Sequence, residues 1–140
     1  MSKIVLTMLL LSAQVMSGEF APLRIQENEF SWSGEKDEVQ FTAIAGEEAT
    51  AGMYVFRVKF PAGYQNQPHY HTDERVVTVM SGELWVGYGE HFDAKSMIAL
   101  GAGSVFTEPK NQPHYVWAKS TEVIIQVVGS GPSRRVLVKP

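Results

Sequence analysis

The chain has 140 residues, 44% of them apolar and 19% charged, with a formal net charge of −3. That length fits one domain with a real core, and the slightly acidic balance gives no footprint for nucleic acid. With no cysteine, disulfides and thiolate metal sites are excluded.

Read in chain order, Met1 to Gly18 opens with Lys3, an apolar stretch from Ile4 to Met16, and small residues after it. This pattern predicts a secretory signal peptide cleaved after Ser17 or Gly18, and hence a periplasmic or secreted protein. Thr7, Ser12 and Gln14 interrupt the stretch, which is also shorter than the ~20 residues a membrane span needs, so no membrane association is expected after cleavage. Residues 19–52 read as a polar lead-in, with Trp32 packing at a barrel end, followed by a first strand over Val39 to Ala45. From Met53 to Phe60 the side chains alternate, Tyr54, Phe56, Val58 and Phe60 on one face and Arg57 and Lys59 on the other, as in a half-buried strand.

Pro61-Ala62-Gly63 ends that strand and leads to His69 and His71, two residues apart, just ahead of the β-branched run Val76 to Val79. Alternate strand residues share a face, so both imidazoles can converge on one point. Neutral imidazole is a common metal ligand. Further strands are expected over Glu83 to Tyr88, Met97 to Leu100, Tyr115 to Trp117 and Thr121 to Val128. Gly129 to Pro132 should break the last of these, and Arg135 to Val138 can add another. His91 falls in a loop and reads as solvated. A third histidine, His114, follows Gly103, a short strand and Pro109. No long stretch outside the N-terminus carries helical periodicity. Short strands punctuated by glycine and proline predict an all-β chain closed as a barrel or jelly roll.

Two segments resemble the paired motifs of the cupin family. Gly63, five residues, His69-x-His71, then Gly82 match the first, and Gly103, five residues, Pro109, then His114 match the second. The resemblance spans about Tyr54 to Val128 and implies a double-stranded β-helix jelly roll with a cupin core over residues 53–128 and a C-terminal strand or tail over 129–140. It also implies that His69, His71 and His114 hold one divalent transition metal. Three departures stand out. Arg75 occupies the position of the family's glutamate ligand, Asn111 that of a motif glycine, and Ala118 that of a motif asparagine. Asparagine tolerates left-handed backbone, so Asn111 should keep its turn. A guanidinium cannot bind a metal. Glu74 could replace the missing carboxylate only through a bulge, since a one-residue slip reverses the face. The other readings are a carboxylate-free three-histidine site, or a barrel without a functional metal.

Nitrogen donors suit zinc, iron, copper, nickel or manganese over calcium and magnesium, and three ligands leave positions open for water or substrate. Two functions follow from the resemblance: a small metalloenzyme of dioxygenase, isomerase or hydrolase type acting on an oxygenated or anionic metabolite, or a non-catalytic module that binds or senses a metal or small ligand. A purely structural barrel would have no use for the three histidines. The sequence shows no unambiguous general base. Arg75 is expected to face the metal and bind an anionic group of the ligand, with Glu74, Tyr70 and Trp117 as further neighbours. A small-molecule partner is expected, and a homodimer is compatible with the architecture.

Overall fold

The computed structural model describes residues 20–140. The proposed signal segment lies outside the described residues. Among the described residues no helix is long and apolar enough to cross a membrane.

Among the described residues ten strands form two five-stranded sheets. The first sheet runs β1 (Gln40–Ala45), β2 (Gly52–Phe60), β9 (Val123–Gly131), β4 (Arg75–Ser81) and β7 (Val105–Glu108). The second runs β10 (Arg135–Leu137), β3 (His69–His71), β8 (His114–Trp117), β5 (Glu83–Tyr88) and β6 (Ile98–Gly101). All pairings are antiparallel. The chain is thus an all-β jelly roll, as its pattern predicts.

Period-two alternation sends one row of each strand into the space between the sheets. Tyr54, Val58 and Phe60 of β2 are buried there with Val77 and Val79 of β4 and Val123, Ile125 and Val127 of β9. Leu84 and Val86 of β5 and Val116 of β8 close the core from the opposite sheet. The outer face of the first sheet is covered by the lead-in, where the Arg57 guanidinium sits 4.7 Å from the Phe30 ring and the Lys59 ammonium 4.2 Å from the Trp32 ring. Trp32 therefore shields a sheet face, whereas the sequence suggests a barrel end.

Two other expectations change. The histidine pair and the Val76–Val79 run are not one strand, because the chain turns at residues 72–74 and passes from the second sheet to the first. The glycines at 129 and 131 do not end β9 either. Gly129 pairs with Tyr54 and with Arg75, and a Cβ there would lie 2.2 Å from the Tyr54 hydroxyl. It is a point of close approach, and the chain leaves the sheet at Pro132.

Candidate metal centre

His69 and His71 point inward from β3, and His114 points inward from β8 as the direct cross-strand partner of His69. All three are buried, and their ligating atoms lie within 4.8 Å of one another. The rings of His69 and His114 are 4.5 Å apart between centroids. Sequence spacing brought the first two together, and the β3–β8 ladder adds the third.

The backbone sets the protonation of two of these rings. His69 Nδ1 lies 2.8 Å from the Gln67 carbonyl, and His114 Nδ1 lies 3.0 Å from the Gln112 carbonyl. A carbonyl can only accept, so each Nδ1 carries a hydrogen, and in the neutral ring Nε2 is then the nitrogen with the lone pair. Burial lowers the pKa of His69 to about 4, and burial with the adjacent Arg75 charge lowers that of His71 to about 3. Both rings are neutral near pH 7, the form that binds metals.

Both carbonyls belong to one repeated pentapeptide. Asn-Gln-Pro-His-Tyr occurs at residues 66–70 and again at 111–115. Asn66 Oδ1 accepts from Val116 N at 2.7 Å, and Asn111 N donates to the His71 carbonyl at 2.8 Å. Asn111 has φ of 60°, so the asparagine keeps the left-handed turn expected of it. A self-comparison of the sequence would have exposed this repeat, which spacing arguments pass over.

The first sheet contributes charges. Arg75 is 6% exposed and faces the site. Its Nη2 donates to Glu48 Oε1 at 2.7 Å and to Ser133 Oγ at 2.9 Å, and its Nε lies 3.4 Å from Asp73 Oδ1. The guanidinium expected to wait for an anion is already occupied by side chains of the protein. Asp73 also accepts from Tyr54 at 2.5 Å and from Ser133 at 2.6 Å. Burial alone would raise the Asp73 carboxyl, but the Ser133 and Tyr54 hydroxyls and the Arg75 charge outweigh it and hold it below the usual range. Burial and the bond to Asp73 push the Tyr54 hydroxyl up.

The residue that sequence reasoning missed is Glu108. It ends β7 directly across the ladder from Arg75, is buried, and approaches His114 Nε2 at 3.3 Å and His71 Nε2 at 3.5 Å. Burial raises its carboxyl, yet its contacts with His114 and His71 and the Arg75 charge more than offset this, leaving it below the ordinary value. The available signal was parity, since Phe106 and Glu108 alternate inward on β7.

The remaining candidates lie apart. Glu74 is exposed and accepts from Lys110 N at 3.2 Å, so no bulge brings it to the histidines. Tyr70, between two inward histidines, and Trp117, one residue beyond the inward Val116, are half-buried on the opposite faces of their strands and do not line the cavity. His91 is exposed in its loop.

A cavity of about 430 Å³ opens over His69, His71, Arg75 and Glu108. Its walls are mainly apolar, from Phe41, Phe56, Val58, Phe60, Val116 and Ile125, with Arg135 also contributing. The size is that of a small-molecule site.

A family model for the cupin domain matches residues 56–128. No curated protein matches the chain significantly. Among solved structures, an RmlC-like cupin from Shewanella frigidimarina superposes with a TM-score of 0.62 at 15% identity, over 79% of this chain and 91% of that one. The polyketide cyclase RemF from Streptomyces resistomycificus gives 0.69 at 13% identity over 86% and 87%. The DMSP lyase DddQ from Ruegeria pomeroyi gives 0.64 at 21% identity over 79% and 62%. At these identities the likeness speaks for the fold. The family model covers just over half of the chain, and on that match this protein belongs to the cupin family.

Proposed function

We propose that this protein is an exported small cupin that holds one divalent transition metal through His69, His71 and His114 and acts as a metalloenzyme on a small oxygenated or anionic metabolite. The observation that carries the reading is the convergence of three buried imidazole donors within 4.8 Å, two with their tautomers fixed by backbone carbonyls. Such preorganisation suits a divalent metal, because neutral imidazole is a common ligand for one and the three nitrogen donors converge. When bound, the metal would supply Lewis acidity to an oxygen of the ligand.

The cavity supports a small ligand with an apolar body and an anionic end. Its walls take a hydrocarbon body, and Arg135 stands opposite His71 in the β10–β3 ladder, on the same face. Among the described residues Arg135 has no carboxylate partner, unlike Arg75. A guanidinium so placed can take the carboxylate of a ligand whose other end reaches the histidines. A homodimer belongs to the same reading, with exposed Ile98 on β6 and Val105 on β7, two of the four edge strands, as its apolar surface.

Protein prepared without a histidine tag should contain close to one transition metal per chain, and His114→Ala should lose it. Equal metal content in parent and variant would end the proposal. Metal-loaded protein can then be screened for turnover of small carboxylates and enolisable acids, where binding without turnover favours a sensor or carrier. Export is checked by intact mass from the native host, with an N-terminus expected near Gly18 or Glu19.

A further inference from the structure

We infer that Glu108 is the fourth protein ligand of this metal centre, its carboxylate delivered from β7 across from the arginine that stands at position 75. The inference rests on the three-histidine reading and deepens it.

Three observations converge. The first is a facing pair. His114 Nδ1 donates to the Gln112 carbonyl, which leaves Nε2 as the nitrogen free to bind, and it faces Glu108 Oε1 at 3.3 Å. A pair so placed calls for a cation between its members, a proton or a metal ion. Consistent with this, His114 Nε2 and Glu108 Oε2 are buried without a hydrogen-bond partner among the described residues.

The second is distance. Two donor atoms each ~2.1 Å from one tetrahedral ion lie roughly 3.4 Å apart. The carboxylate oxygens of Glu108 stand 3.3 and 3.5 Å from the Nε2 atoms of His114 and His71. Oε1 is the nearer to His114 and Oε2 the nearer to His71, each at the separation of two ligands on one ion and longer than a good N–H···O bond.

The third is charge. Arg75 is matched at close range by Asp73, which Tyr54 and Ser133 also serve, and by the half-exposed Glu48. Its nearest approach to Glu108 is only 3.8 Å. Glu108 is therefore a buried carboxylate that shares its guanidinium with two closer acids, and a metal ion beside the histidines would complete its charge balance. The guanidinium reaches Oε2 at 3.8 Å, and both oxygens of the same carboxylate face the histidines.

The test uses the isosteric Glu108→Gln variant, which keeps the shape and removes the charge. Zinc affinity is measured by competition with a chelator, and the cobalt(II) form is examined by visible absorption. The variant should lose more than the ~10–100-fold that removal of an outer partner costs, and its cobalt spectrum should change. Parent-like affinity with an unchanged spectrum would overturn the inference and leave a proton as the group between Glu108 and His114. Should the variant fail to fold, the parent decides. With ¹³C-labelled glutamate, zinc addition should shift a glutamate carboxylate band in the infrared difference spectrum, and no shift would equally refute the assignment. Loss of metal in His114→Ala with full retention in Glu108→Gln would sink this inference alone. No binding by the parent would sink the three-histidine reading itself.

Discussion

The two sheets bring different chemistry to the same cavity. The sheet containing β3 and β8 supplies three imidazoles, two of them held by backbone carbonyls. The sheet containing β2, β4 and β7 supplies Tyr54, Arg75 and Glu108, with Asp73 beside them in the turn. A neutral ring can be buried at modest cost once one nitrogen is satisfied, so local carbonyls go far towards supporting the histidine side. Buried charges must answer one another, so the other half is a network that stands or falls together.

Breaking the charged half should have the largest effect. Arg75→Met leaves Asp73 and Glu108 buried without their cation, and stability should fall by about 3–5 kcal/mol, read from urea unfolding of the metal-free protein. A loss below 1 kcal/mol would mean the carboxylates are neutral or hydrated in the folded chain.

Acid should reach the neutral half next. His69 and His71 have folded pKa values of about 4 and about 3, below the ~6.5 of an unfolded histidine. Between those limits the unfolded chain holds protons that the folded one refuses. Their contribution is complete above pH ~6.5 and is lost progressively as pH falls towards 4 and 3. From pH 7 to 5 the metal-free protein should lose roughly 2–4 kcal/mol, at 1.36 kcal/mol per unit. A flat profile over that range would show the rings to be accessible to protons.

The smallest effect separates one link of the network from the whole. Tyr54→Phe removes the hydroxyl that bonds Asp73 and leaves Arg75 in place, so about 1.5–3 kcal/mol should go. If it matches Arg75→Met, the network acts through Tyr54 rather than through charge.

The same division explains what could be read from the sequence. The histidines were legible because their spacing is local: His69 and His71 lie two apart on one strand, and His114 follows a second turn of the same kind. The jelly roll followed from strand length and punctuation. The partners of Arg75 were not legible, because Glu48, Glu108 and Ser133 meet it only through pairings set by the closed barrel. Even the nearby Asp73 depended on the chain leaving one sheet for the other between His71 and Arg75, a bend that the β-branched run does not announce. Glu74, the neighbour that looked relevant, was turned to solvent by that bend.

The repeated pentapeptide gives the histidine side an approximate dyad. Exchanging residues 66–70 with 111–115 superposes His69 on His114 and Gln67 on Gln112, and it carries the Asn66–Val116 contact onto the Asn111–His71 contact. The same operation takes His71 onto Val116, which lines the cavity. The donors thus fill three corners of a symmetric tetrad, and an isopropyl group fills the fourth. Two imidazoles should be near-equivalent in ¹⁵N resonance, both protonated at Nδ1, with His71 set apart. The broken corner makes the histidine ring lopsided, with hydrocarbon on the side where no nitrogen stands.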